Sequence, residues 1–249
     1  MTASTVSAVT SERMLEVLPS QAMGYLLDAV VPSDACDPLL CVLSGASVSP
    51  ASQDPVRIAP RVFLHVAGTP PPPHPPDAIV LPTIPSRAFG DGSHPTTRLC
   101  ARAVDLWCRQ HHPTAVLDVG TGTGVLARLA RAHGARFVVG TDIDGTALAA
   151  ARANAALDQH EVELVLKNRP PDAWGARFDL VVANILAGVL LELADALVRA
   201  MAPGAALMLS GFTPVQAPAL RAAFSSRGLL PDVQAQLEGW AVLQLRRAA

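Results

Sequence analysis

"LDVGTGTG", residues Leu117–Gly124, decides how the rest of this 249-residue chain is read. An apolar run, "AVLDVG", stops at Gly120, and two more glycines follow at Gly122 and Gly124. Glycine lets the backbone turn sharply and approach a ligand closely. The next segment, "GVLARLARAHG", has apolar residues at helical spacing and a stop at Gly134. A helix starting there offers unpaired N–H groups and the positive end of its dipole, which suit an anionic group. The strand after it, "RFVVGTD", ends in Asp142, where a carboxylate can accept both hydroxyls of a ribose. Strand, glycine loop, helix, strand and acid in that order point to a nucleoside-type ligand. A glycine-rich turn without a ligand is the bland alternative.

Two ligands compete. "GTGVLA" (122–127) satisfies the dinucleotide pattern G-x-G-x-x-A, and S-adenosyl-L-methionine suits the same architecture. Asp118 tilts the choice. A carboxylate just before the loop suits a ligand with an amino group, whereas a pyrophosphate would repel it.

The same rhythm runs outward. "TTRLCARAVDLWCRQ" (96–110), "GTALAAARANAALD" (145–158), "GVLLELADALVRAM" (188–201) and "APALRAAFSSRG" (217–228) read as helices. "VELVLK" (162–167), "FDLVVANI" (178–185), "ALMLSG" (206–211) and "WAVLQLR" (240–246) read as strands, with "APGA" stopping the third helix. Alternation of this kind implies a mostly parallel sheet with helices on both faces. Runs such as Leu180-Val181-Val182 fit strands covered on both sides. Upstream, a polar tail precedes a helix in "SERMLEVLPSQAMGYLLDAVV", with Ser11 as cap and Pro19 as interruption. "PLLCVLSG" and "RVFLHV" look like short strands, and "GTPPPPHPPDA" (68–78) is a semi-rigid linker. Residues 1–76 are therefore expected to form a small α+β region and residues 77–249 the main domain.

Composition narrows the function. Half the residues are apolar and the net charge is −2, with no Lys/Arg cluster. Direct DNA binding is not expected; a specific contact with a folded ribonucleoprotein stays open. Cys36, Cys41, Cys100 and Cys108 form neither a CxxC pair nor zinc-finger spacing, so single thiols in a reducing compartment and no metal are expected. The N-terminal residues lack the apolar core of a signal peptide, and "LVVANILAGVLL" is too short to span a bilayer. A soluble cytoplasmic protein with no membrane partner is expected.

"LDVGTGTG" with "GTDID" resembles the S-adenosylmethionine loop of class I methyltransferases. "AFGDGSHPTT" (88–97), "VVANILAGVLLELADALVRAMAPGAALMLSG" and "EGWAVLQLRR" are similar to one branch, the bacterial large-subunit ribosomal-protein lysine methyltransferase family. The match runs from about Pro85 to Leu245, with Asp91 where the family has Thr and Thr121 where it usually has Cys. The resemblance implies an α/β Rossmann-like fold with a seven-stranded sheet. It also implies S-adenosyl-L-methionine as cofactor, with S-adenosyl-L-homocysteine as product. Its cofactor residues would be Phe89, Gly90, Thr96, Thr97, Asp118, Gly120, Thr121, Gly122, Gly124, Asp142, Ile143, Asn168 and Asn184.

In the family "AFGDGSHPTT" closes over the cofactor. Physically, Gly90 and Gly92 permit a tight fold, Phe89 can cover an apolar part of the ligand, and Thr96 or Thr97 can donate to its carboxylate or simply cap the next helix. His94 is either a proton acceptor near the reaction centre or a structural loop histidine. Asp91 either binds a substrate ammonium or stabilises the turn. Asn184 resembles the Asn that opens the "NPPY"-like motif of amino-group methyltransferases; its carbonyl can accept from a substrate N–H, or the residue can cap the following helix. Asn168 stands where many class I enzymes hold the adenine amino group. The resemblance implies methylation of a lysine or N-terminal amine of a protein, such as a ribosomal protein, or of a peptide. The N-terminal segment does not match the family's βαββ-type domain, so a small-molecule amine remains an alternative. A non-catalytic cofactor-binding subunit and a nicotinamide dehydrogenase complete the set.

Overall fold

Each strand of the main sheet carries apolar side chains toward both faces, and both faces are covered. On β4 (Ala115–Val119) Val116 enters one core and Leu117 the other; on β7 (Phe178–Asn184) Leu180 and Val182 alternate with Val181 and Ala183. This is the period-2 pattern of a strand buried twice. The computed structural model describes residues 55–158, 164–174 and 178–248. The expected helix over 11–31, the strand over 38–45, Cys36 and Cys41 lie outside them.

Among the described residues the chain order is β1 (Val56–Ala59), β2 (Val62–Val66), β3 (Ile79–Thr83), α1 (Pro95–His111), β4, α2 (Val125–Ala132), β5 (Phe137–Thr141) and α3 (Gly145–Ala155). β6 (Leu164–Lys167), β7, α4 (Ala187–Glu192), α5 (Ala194–Ala200), β8 (Met201–Phe212), α6 (Ala217–Ser225), β9 (Leu229–Leu237) and β10 (Trp240–Arg247) follow. The large sheet has seven strands in the order β6-β5-β4-β7-β8-β10-β9. The first five run parallel, and β10 is antiparallel to both β8 and β9. Helices α1–α3 pack on one face with Leu99, Trp107, Leu129 and Leu148, and α4–α6 on the other with Leu190, Leu197 and Phe224. The α/β, mostly parallel architecture read from the sequence is the one observed.

A second, three-stranded sheet, β1-β2-β3, packs Ile58, Leu64 and Leu81 into the α1–α3 core. β2 and β3 are parallel, so a long crossover must join them. The proline-rich stretch is that crossover: it leaves β2 and returns as β3, with Ala67 N–H donating to Thr83 O and Ile79 N–H to Arg61 O. Arg61 pairs with Asp77 at its end. Chain on both sides of Asp77 thus belongs to one sheet.

Several elements depart from the sequence reading. The helix expected over 188–201 is two, α4 and α5, meeting at Leu193. α5 does end at Ala200, just before "APGA", but that stretch lies inside β8 as a bulge, between Met201 opposite Phe178 and Ala206 opposite Leu180. β1, β3 and β9 were not anticipated. β9 contains Pro231 and lies at the edge of the sheet, where a missing N–H is tolerated. No helix of the described residues is long and apolar enough to cross a membrane.

Candidate functional site

The carboxyl ends of β4, β5 and β7 lie side by side, since Val119 is opposite both Thr141 and Ala183. This is the edge where open α/β sheets bind ligands. Gly120, Gly122 and Gly124 all have positive φ. The tightest approach is at Gly122, where an added Cβ would stand 2.1 Å from the Phe89 carbonyl oxygen.

That contact seats "AFGDGSHPTT" on the glycine loop. Thr123 N–H donates to Phe89 O at 2.8 Å and Thr123 Oγ1 to Gly90 O at 2.7 Å. Phe89 itself is half exposed. Asp91 Oδ1 accepts from Ser93 N–H and Oγ, so its carboxylate closes the turn.

His94, rather than either Thr, is the N-cap of α1; its Nδ1 accepts from Thr96 N–H and lies 2.8 Å from Thr96 Oγ1. An accepting Nδ1 places the neutral ring's proton on Nε2. The ring sits between Phe89, centroids 5.1 Å apart, and Trp240, 4.8 Å. Burial and the Arg98 charge lower its pKa. Thr96 and Thr97 are buried in the first turn, and Thr97 Oγ1 has no partner among the described residues.

Asp118, at 1 % exposure, is the buried charge of the site. Oδ2 accepts from Thr121 Oγ1 at 2.7 Å and from Ala127 N–H at 3.2 Å, while Oδ1 has no partner among the described residues. Burial pushes its pKa up to about 6; the two hydrogen bonds pull down and Asp142 pushes up. Asp142 receives Gly122 N–H on Oδ2 and Asp144 N–H on Oδ1, which fixes the carboxylate beside the loop. Ile143 next to it is 92 % exposed. Asn184 ends β7 with its Oδ1 buried and, among the described residues, unpartnered; it does not cap α4, whose N-cap is Leu186 without a side-chain bond. Asn168 follows β6 and is exposed.

The donor set fits S-adenosylmethionine. Buried acceptors without partners, Asp118 Oδ1 and Asn184 Oδ1, suit ammonium and amine groups. The glycine loop admits backbone approach, Asp142 suits a ribose, and Ile143 offers an apolar face for a base.

Three contacts that hold the site were not read from the sequence. Asn154 on α3, fully buried, accepts Ile84 N–H at 2.7 Å and donates to Thr123 O at 3.0 Å. Arg98 Nη2 donates to both carboxylate oxygens of Glu238 in the β9–β10 turn, both bonds 2.9 Å. Trp240, after that turn, packs on His94. The signals were faint: an Asn inside a helical run, and Glu-Gly before "WAVLQLR".

The sheet order and the glycine loop with its flanking acids define a class I methyltransferase fold. The family model described as ribosomal protein L11 methyltransferase (PrmA) matches residues 49–248, and the chain belongs to that family. It is 41% identical over 194 residues to the ribosomal protein L11 methyltransferase of Polynucleobacter necessarius subsp. necessarius, covering 76% of this chain and 57% of the relative. To that of Ralstonia pickettii it is 45% identical over 170 residues, covering 68% and 54%. The chain spans about half the length of these curated relatives. Among solved structures it is similar to a ribosomal protein L11 methylase from Lactobacillus delbrueckii subsp. bulgaricus, with TM-score 0.70 and 28% identity over 78% of this chain and 99% of that one. The magnesium protoporphyrin IX methyltransferase from Synechocystis PCC 6803, solved with bound SAM, shares the fold at TM-score 0.51 and 19% identity, over 61% of this chain and 82% of that one.

Proposed function

We propose that the protein is an S-adenosylmethionine-dependent methyltransferase acting on an amino group of ribosomal protein L11, a lysine or the N-terminal amine, in the cytoplasm. The observation that carries the reading is the pairing of two buried, unpartnered acceptors, Asp118 Oδ1 and Asn184 Oδ1, at the carboxyl ends of neighbouring strands. The substrate comes from what the family's members are named for.

When bound, S-adenosylmethionine supplies a methyl group already activated on a sulfonium. The Gly120–Gly124 backbone would cradle it, Asp142 would take the ribose hydroxyls, Ile143 and Asn168 the adenine, Thr97 and Phe89 the methionine end, and Asp118 the amino group. What remains for the chain is alignment, which supplies ~7–11 kcal/mol in favourable cases. Asn184 Oδ1 would accept from the acceptor amine and turn its lone pair inward. A lysine of pKa ~10.4 must first lose a proton, at about 4–5 kcal/mol near pH 7. Desolvation lowers that cost. The proton passes to water rather than His94, whose Nδ1 is held by its cap.

Isothermal titration of S-adenosylmethionine into the wild type and Asp142→Ala, followed by labelling of L11, tests the reading. Asp142→Ala should weaken binding by on the order of 2–3 kcal/mol through loss of two charge-assisted hydrogen bonds. Unchanged affinity removes the ribose role, and label in a small-molecule fraction alone removes L11.

A further inference from the structure

The loop holds one residue whose chemistry the proposed function leaves unused. Thr121 is buried, and its hydroxyl donates to Asp118 Oδ2 at 2.7 Å. Space for that hydroxyl is provided by the neighbouring strand. Gly140, directly opposite Asp118 in the β4–β5 register, would bring a Cβ within 2.8 Å of Thr121 Oγ1. Any side chain there would displace the hydroxyl. With Oδ2 shared between Thr121 and the Ala127 N–H, Oδ1 is the atom left over.

We propose that Thr121 is a positioning residue for Asp118, tying down Oδ2 so that Oδ1 is offered to an ammonium group at the end of β4. This rests on the reading that the loop binds S-adenosylmethionine, whose methionine part carries such a group. A hydrogen bond to the ionised carboxylate also favours that form, against burial, which drives the pKa up to about 6. Among the described residues, the other titratable groups near this carboxyl are Asp142, just after β5, and Cys100, on α1. Asp142 favours the protonated form of Asp118. The Cys100 thiol, buried and facing this carboxylate, is itself held well above its usual range and stays neutral.

Two ligands separate the positioning role from loop shape. S-adenosylhomocysteine carries the amino group; 5′-methylthioadenosine has the same adenosine and sulfur without it. Affinities are measured by isothermal titration from pH about 5.5 to about 8.5 for the wild type, Thr121→Val and Thr121→Ser. Wild-type affinity for S-adenosylhomocysteine should fall as pH drops through about 6, while that for methylthioadenosine stays flat. In Thr121→Val the midpoint should move up by about one unit, weakening S-adenosylhomocysteine about fivefold near pH 6 and about eightfold near pH 5.5, with little change near pH 8.5. Methylthioadenosine should stay within about twofold, and Thr121→Ser should restore the wild-type profile. Equal weakening of both ligands with an unmoved midpoint overturns the proposal and leaves Thr121 a loop-shaping residue. If the wild type binds neither ligand, the cofactor reading itself fails. Thr121→Ala carries the same comparison should the Val variant not fold.

Discussion

Phe89 and Gly122 meet backbone to backbone, with the Phe89 carbonyl oxygen 2.1 Å from where a Cβ on Gly122 would stand. No side-chain rotation relieves that contact, so Gly122→Ala must part the two loops that build the site. Its φ of 55° adds about 1–2 kcal/mol of left-handed strain. Gly134→Ala is the control, because its φ of 93° is also positive but no described residue lies within 4 Å of the added Cβ. Urea denaturation should show a larger loss for Gly122→Ala. Only that variant should lose cofactor binding in titration. Equal losses with binding intact would mean that the seating of Phe89 on the loop is dispensable.

The proline crossover invites protease, but a cut there should not release a free domain. β3 pairs with β2, and Ile58, Leu64 and Leu81 share one core with Leu99 and Trp107. Nicking between Gly68 and Asp77 should leave both pieces associated on gel filtration, separating only in denaturant. Release of a folded fragment beginning near Asp77 under native conditions would show that the small sheet is an independent unit.

Acid should weaken the fold through two histidines. His94 and His111 are both lowered, by burial first; Arg98 adds to this at His94, and Arg246 at His111 against the Trp107 carbonyl bond. The unfolded chain therefore takes up these protons first, and stability is lost as pH falls through about 6.5. Asp118 has the opposite sign. Its raised pKa means stability present below about 3.8 and lost as pH rises through about 6. Thermal melts from pH 7.5 to 5.5 should show a shallower acid loss for His111→Asn than for wild type, and a steeper one for Asp118→Asn. Parallel curves would refute this account.

The parts legible in the sequence are those whose physics is local. Gly120, Gly122 and Gly124 announce their backbone, Asp142 follows its strand, and the short apolar runs Ala115–Leu117 of β4 and Leu180–Ala183 of β7 show double burial. What escaped depends on pairing and packing that the local composition does not announce. β9 alternates like a solvent-facing strand and carries Pro231, and only its pairing with β10 at the sheet edge makes it a strand. Asn154 looks like an ordinary helix residue until Ile84 and Thr123 arrive on either side of it. His94 was weighed as a proton acceptor, but its cap on α1 is set by Thr96, two residues on, and its packing by Trp240.

Asn184 carries the sharpest prediction about chemistry. Its Oδ1 is buried without a partner at the end of β7, its main chain pairs with Ser210 on β8, and it caps no helix. Truncation should therefore leave the fold in place and remove one acceptor. Asn184→Ala should keep cofactor affinity within a few-fold and slow single-turnover methyl transfer at saturating cofactor by at least about 100-fold, roughly 2.7 kcal/mol of transition-state stabilisation. Asn184→Asp should be milder, because a carboxylate still accepts a hydrogen bond from the amine. A near-normal rate for the Ala variant would eliminate Asn184 as the group that aims the nucleophile, and with it the preference for a nitrogen over an oxygen acceptor.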